Sequence, residues 1–188
     1  MLFRSPLASW RSLGFAPESA TDLQEAKGLC LHYRQTTGAA VARLTYCKIM
    51  SQQKVHLQFE QIYASGRALC LSNMDQPSIF RGLYDDPDES FQLKRQKDAA
   101  VLFDNFKRIR SQMKMGMPAI PQPGSLARRE EDKSNQQMKM LIDNGCYRPL
   151  RNGKYRASVR ASYHMTWRML SPRKEFLLAR EEVRAKAI

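Results

Sequence analysis

An apolar stripe between residues 99 and 113 constrains the fold of this chain more than any other feature. Its members recur at spacings of three and four, which places them on one face of an α-helix. Just upstream, Asp86 suits the N-cap, Pro87 the first helical position and Glu89 the reciprocal capping position. We therefore predict a helix that begins at Pro87 and ends near Met115. The stripe consists of Ala99, Leu102, Phe106, Ile109 and Met113.

Similar signals predict helices in much of the remaining chain. Thr21 and Gln24 have the spacing of a capping box, so we expect a helix from residue 22 to about residue 36. Ser125 can cap a polar helix that ends at Gly145. A final helix is expected after Ser171 and Pro172, where proline suits the first helical position. Its inward positions are predicted to be Phe176, Ala179 and Val183.

Residues 39–71 are compatible with helix or with a strand hairpin. Val55, Phe59 and Ile62 fit helical spacing, whereas Val55, Leu57 and Phe59 alternate as in a strand. We favour helix because Gln, Ala and Glu dominate the polar positions and no hairpin dipeptide divides the segment. The predicted fold class is all-α, with several amphipathic helices, proline-rich extended connectors and little or no sheet.

We divide the chain into three parts. Residues 1–20 form a basic N-terminal arm, residues 21–84 a helical extension, and residues 85–188 a helical domain with a proline connector at 116–124. The arm has Arg4 and Arg11 and no acidic residue before Glu18. That composition is typical of a mitochondrial transit segment, which we expect to be retained. No stretch approaches the roughly 18 consecutive apolar residues of a membrane-spanning helix, which argues against an integral membrane protein.

The charge of the chain points to an acidic partner. Lys and Arg total 31 and Asp and Glu total 18, so the formal net charge is +13 over 188 residues. Nucleic acid, an anionic membrane surface and an acidic protein are the candidate partners. The segment from Asn144 to Lys174 contains no acidic residue, and we predict that its basic residues form a docking surface. These residues are Arg148, Arg151, Lys154, Arg156, Arg160, Arg168, Arg173 and Lys174.

Apolar and aromatic residues alternate with these cations at helical spacing. In one interpretation they form a packing stripe that faces a protein core, while the arginines reach an acidic subunit or lipid headgroups. In the other, the arginines bind RNA phosphates and the rings stack on bases. We favour packing, because base stacking usually needs rings that are exposed and separated. The stripe consists of Tyr155, Val159, Tyr163, Trp167 and Leu170.

The sequence predicts no catalytic site, no cofactor and no metal. It contains no phosphate-binding glycine loop, nucleophile elbow or metalloprotease helix motif. The cysteines and histidines lack the short paired spacings of structural zinc sites. We therefore predict that the protein is not an enzyme. The residues concerned are Cys30, Cys47, Cys70, Cys146, His32, His56 and His164.

The C-terminal half resembles subunit 7 of the mitochondrial cytochrome b–c1 complex, the ubiquinol–cytochrome c reductase. The resemblance covers about residues 99–188, and residues 1–95 have no recognised counterpart. Upstream it includes a helix end and turn at Lys114, Gly116 and Met117. The other matching positions are Tyr155, Arg156, Arg160, His164, Leu170, Pro172, Arg173, Phe176, Glu181 and Glu182.

The resemblance implies a helical, non-catalytic accessory subunit of complex III of the electron-transport chain. Such a subunit would sit on the matrix side of the mitochondrial inner membrane and support assembly and stability. Its partners would be cytochrome b and the core subunits, and the basic surface could also meet anionic lipids such as cardiolipin. The alternative is a mitochondrial ribosomal protein that binds rRNA through residues 144–174.

Overall fold

A computed structural model describes residues 10–23, 28–49, 52–75, 78, 80–94, 96–151 and 153–188. Six strands form one sheet in the order β1 to β6, antiparallel throughout except for the parallel pair β5 and β6. They are β1 Phe15–Leu23, β2 Gly28–Gln35, β3 Ala40–Ile49, β4 Gln52–Ile62, β5 Ala68–Ser72 and β6 Glu89–Gln92.

The second half of the chain is mainly helical and includes a small two-stranded sheet. These elements are α1 Ala99–Gln112, α2 Leu126–Asp143, β7 Tyr147–Pro149, β8 Tyr155–Ala157, α3 Val159–Met169 and α4 Arg173–Ala187. Within the described residues, none of the helices combines the length and the apolar character needed to cross a membrane.

The predicted all-α fold class is wrong, because strands β1 to β6, which lie between Phe15 and Gln92, form the large sheet. The helix expected over residues 22–36 is replaced by the antiparallel pair β1 and β2. Residues 39–71 form β3, β4 and β5 rather than helices. Residues 1–9 of the predicted N-terminal arm, Gln24 and residues 50 and 51 lie outside the described residues. The predicted boundary between residues 84 and 85 falls between β5 and β6, which pair with each other.

The main core lies on one face of this sheet. Leu57 and Phe59 of β4 point into this core, and α1 packs over it, so the core lies between the sheet and α1. Phe59 is completely buried at the centre of a ring cluster, with ring centroids 4.9 to 6.0 Å away. Aromatic packing of this kind links the sheet, α1 and the N-terminal segment. The neighbouring rings are Trp10, Phe15, Phe103 and Phe106.

The apolar stripe of α1 is confirmed, but its predicted start is wrong. Ala99, Leu102, Phe106 and Ile109 are buried against the sheet, and Met113 packs against the same core. The helix begins at Ala99 because the Asp98 carboxylate accepts hydrogen bonds from the first-turn backbone N–H groups. The predicted capping residues do not start a helix: Asp86 accepts a hydrogen bond from the Asp88 N–H at 3.0 Å, and Glu89 begins β6.

The proline connector and the last two long helices lie close to their predicted positions. No helix or strand occurs between residues 116 and 124, where the chain runs past the end of β4 and bonds to it. Helix α2 starts after Ser125, although that hydroxyl makes no capping bond to the helix. Helix α4 follows Pro172, but its buried residues are Leu177, Leu178 and Ala185, whereas Phe176 and Val183 are exposed.

Candidate nucleic-acid interface

The basic segment folds into the β7–β8 hairpin followed directly by α3. Ser158 joins them: its hydroxyl accepts a hydrogen bond from the Ala161 N–H at 3.2 Å, and its backbone N–H donates to Cys146 at 2.8 Å. The Tyr147 hydroxyl lies 3.4 Å from the sulfur of Met165. Hairpin and helix are therefore fixed to each other as one unit.

Helix α3 has a packed side and a solvent side. Ala161 on the packed side is completely buried beside Leu141 of α2, and Met165 packs against the same small core. On a helix with 3.6 residues per turn, Val159 and Tyr163 lie on the opposite side. Their exposed fractions are 89% for Val159 and 69% for Tyr163. The solvent side of α3 is thus the side that was expected to pack.

The predicted packing stripe does not pack within the described part of this chain. Tyr155 lies on β8 rather than on the helix, and it is exposed. Leu170 follows the helix and is also exposed. The rings of Tyr163 and Trp167 lie in parallel, with an interplanar angle of 8° and a centroid distance of 6.3 Å. Spacing alone missed this because a stripe looks the same in sequence whether it meets a core or solvent.

The predicted docking cations are concentrated on the same unit. Arg148 and Arg156 are direct cross-strand partners in the hairpin, which places two like charges opposite each other. Such a pair is destabilising unless an anion lies close by. Arg151 and Lys154 are exposed in the connecting loop, and Arg160 is exposed on α3. Among the ion pairs formed between described residues, none involves Arg148, Arg151, Arg156 or Arg160.

The remaining predicted cations lie at the end of α3 and the start of α4. Arg168 is half-buried, and its Nε donates to the Ser78 carbonyl at 2.9 Å. Burial lowers the Arg168 pKa, and the charges of Arg81 and Arg173 lower it further. The Arg173 guanidinium lies 5.3 Å from the ring centre of Phe176. Lys174 is half-buried. Arg168 therefore bonds to another segment of this chain, whereas the arginines of the hairpin are exposed and available to a partner.

A second polar region, which the sequence did not suggest, lies between the sheet and α2. Arg43 of β3 donates to the buried Glu60 carboxylate of β4 at 2.8 Å and to Glu130 of α2 at 3.2 Å. Lys133 of α2 lies 3.7 Å from Glu60 and 2.5 Å from Asp88. These groups form one ion-pair network on the sheet face opposite the aromatic core. Arg43 follows the core residue Ala42 on β3, and Glu60 follows the core residue Phe59 on β4. This alternation is a sequence signal that would place both charges on the opposite face of a sheet.

The charges around Glu60 hold it ionised. Burial raises the pKa of this carboxyl, but Arg43 and then Lys133 and Arg129 oppose that effect, and the net pKa is lowered. Burial also raises the pKa of the neighbouring Cys70 thiol on β5 to about 12, so the thiol stays neutral. The folded state therefore favours the Glu60 carboxylate over the protonated acid.

This network predicts a specific acid sensitivity. A carboxyl whose pKa is lowered on folding stabilises the protein above its unfolded pKa of about 4.3, and that stability is lost as pH falls through the folded pKa. Glu60→Gln should therefore destabilise the protein at neutral pH, and its difference from wild type should shrink in acid. Urea unfolding at pH 7, 5 and 3.5 measures both proteins. A difference that stays constant with pH would contradict the prediction.

The chain matches no protein-family model, no curated protein and no solved structure.

Proposed function

We propose that the protein binds single-stranded RNA through the β7–β8 hairpin and the solvent side of α3. The observation that supports this most is the exposure of the parallel Tyr163 and Trp167 rings beside arginines that have no acidic partner among the described residues. Exposed rings can stack on bases of any identity, and the arginines can bind the phosphates between them. We infer a binding role without catalysis of its own.

The charge arrangement favours RNA over a protein partner. A phosphate between Arg148 and Arg156 would offset the repulsion of two like charges on opposite strands. A strand with one phosphate per nucleotide can serve the hairpin and α3 together, since stacking and phosphate contacts alternate along it. Mitochondrial ribosomal RNA, which was the alternative partner inferred from the sequence, would supply such a strand.

The accessory-subunit role in complex III is the competing proposal. It draws on the resemblance of residues 99–188 and on the same basic surface, which an acidic subunit or cardiolipin could also cover. The resemblance implies a run of arginines on a helix, whereas Arg148 and Arg156 of this chain lie in the β7–β8 hairpin. RNA binding is therefore our first proposal, and the binding experiment below distinguishes it from the accessory-subunit role.

The test is fluorescence anisotropy of a labelled single-stranded RNA with the purified full chain, over a range of salt concentrations. Replacing both Tyr163 and Trp167 with alanine should weaken binding by roughly tenfold or more, because stacking is worth about 1–3 kcal/mol per base. This variant should keep the salt dependence of wild type. Trp10 is buried and Trp167 is exposed, so RNA should quench the Trp167 emission and leave a Trp167→Phe variant nearly unquenched.

Arg148→Gln with Arg156→Gln should change the salt dependence instead. Two lost phosphate contacts reduce the slope of log K against log salt by about 1.4 for a single strand. The matched control is Lys97→Gln with Lys114→Gln, which removes two exposed cations outside the hairpin and α3. Equal slopes for the two double variants would overturn the proposal. Failure to bind RNA at low salt, with tight binding to cardiolipin vesicles or to cytochrome b, would favour the accessory-subunit role.

A further inference from the structure

Three side chains with metal-binding chemistry meet at the edge of the polar layer under α2. Cys30 and His32 lie two residues apart on β2 and share one face of the sheet. Glu130 reaches them from α2. One ligand atom from each of the three lies within 4.8 Å of the other two. We propose that Cys30, His32 and Glu130 bind a Zn²⁺ ion.

The imidazole and the carboxylate are spaced as zinc ligands. His32 Nε2 lies 3.4 Å from Glu130 Oε2. Two such atoms bound to zinc at about 2.0–2.2 Å, in tetrahedral geometry, lie about 3.4 Å apart. The thiol needs a small movement, since sulfur and nitrogen ligands of one zinc lie about 3.6 Å apart. Thiolate, imidazole and carboxylate together are ligands that zinc accepts and that Mg²⁺ or Ca²⁺ would not select.

Neighbouring groups hold these ligands in place. Arg43 donates to Glu130 Oε1 at 3.2 Å, which leaves Oε2 directed at His32. Thr45 Oγ1 lies 3.6 Å from the Cys30 sulfur. Partners of this kind orient metal ligands and tune their basicity. Because Glu60 balances the charge of Arg43, the guanidinium adds little net repulsion toward a cation.

The cluster is buried but can be reached from solvent. Cys30 is 4% exposed and His32 is 1% exposed. Zinc at His32 Nε2 would replace the Thr21 hydroxyl, which lies 3.3 Å from that atom. Glu130 is 41% exposed and gives the ion a path from solvent.

Zinc would join β2 to α2 and leave one coordination position open. Three protein ligands with a fourth position free is the arrangement that admits water or a small ligand. Binding converts the Cys30 thiol to a thiolate and releases its proton to solvent. The ion would thereby stabilise the docking of α2 on the sheet, independently of RNA binding by the hairpin and α3.

The experiment uses the full chain without a histidine tag, stripped with a chelator and titrated with Zn²⁺ against a chromophoric competitor. We expect one ion per chain and a rise in the melting temperature that grows with zinc concentration. With Co²⁺ as a probe, a thiolate-to-metal charge-transfer absorption should appear and should be absent in Cys30→Ser. Failure to bind zinc stoichiometrically would overturn the proposal, and so would a cobalt complex without the sulfur band.

Matched variants separate ligation from folding. Cys30→Ser and Glu130→Gln should each weaken zinc binding by roughly tenfold or more. Glu130→Gln changes a partly exposed position, so it should fold even if Cys30→Ser does not. Cys146→Ser is the control, since Cys146 is a buried cysteine in the separate small core. Equal loss of affinity in Cys146→Ser, or unchanged affinity in Glu130→Gln, would contradict the assignment.

Discussion

Arg43→Met is expected to lower the free energy of unfolding by about 3 kcal/mol, because removing one partner of a buried ion pair leaves the other charge without compensation. Glu60 is 1% exposed and receives its shortest hydrogen bond from Arg43. Lys133 lies 3.7 Å from Glu60 and still compensates part of its charge in this variant. The expected loss of stability is therefore at the lower end of the usual range for a broken buried ion pair. Urea unfolding followed by circular dichroism at pH 7 measures the change.

Two further variants make this result specific. The double variant Arg43→Met with Glu60→Gln removes the charge as well as its partner, so it should recover part of the lost stability. Lys186→Met breaks the more exposed pair with Glu182 on α4 and should cost less than about 1 kcal/mol. A double variant less stable than Arg43→Met would mean that the ion pair is not the cause.

Phe59→Ala is expected to cost about 3–5 kcal/mol, the usual loss for a large aromatic side chain in a packed core. Phe59 is fully buried, and its ring meets those of Trp10 and Phe15, as well as Phe103 and Phe106 on α1. Truncation therefore leaves a cavity between the sheet and α1. Urea unfolding gives the loss, and the emission of the buried Trp10 should report the disturbance directly.

Phe176→Ala is the matched control for Phe59→Ala. The ring of Phe176 is mostly in solvent and contacts the guanidinium of Arg173. Its removal should change stability by less than about 1 kcal/mol. An all-helical arrangement would bury both rings and make the two losses similar. Similar losses would therefore contradict the sheet architecture described above.

The fold of residues 15–92 was mispredicted because both faces of the sheet are covered. Phe59 and its same-face neighbours meet the aromatic core, while Arg43, Glu60 and His32 meet α2. Gln, Ala and Glu at the polar positions of residues 39–71 favour helix by local preference, but packing on both faces of the sheet overrides that preference. The apolar stripe of α1 was predictable, since its spacing matches a helix and no strand.

The three proposed zinc ligands could not be recognised as a site from the sequence. Cys30 and His32 are two residues apart, but Glu130 is about a hundred residues further along the chain. Zinc motifs are recognisable in sequence when their ligands occur in short paired spacings. Here the third ligand is supplied by a helix that folds over the sheet. Its proximity depends on the long-range packing of α2.

The strongly basic, ring-rich C-terminal third and the helices α1, α2 and α4 were predictable from the amino-acid sequence. Charge and local periodicity depend on neighbouring residues alone, so they can be read without a fold. The side of α3 that meets solvent depends on tertiary packing, because Ala161 and Met165 pack in the small core with α2 and leave Tyr163 and Trp167 exposed. Burial depends on contacts between segments that are distant in sequence, and those contacts decide whether an aromatic stripe packs in a core or faces solvent.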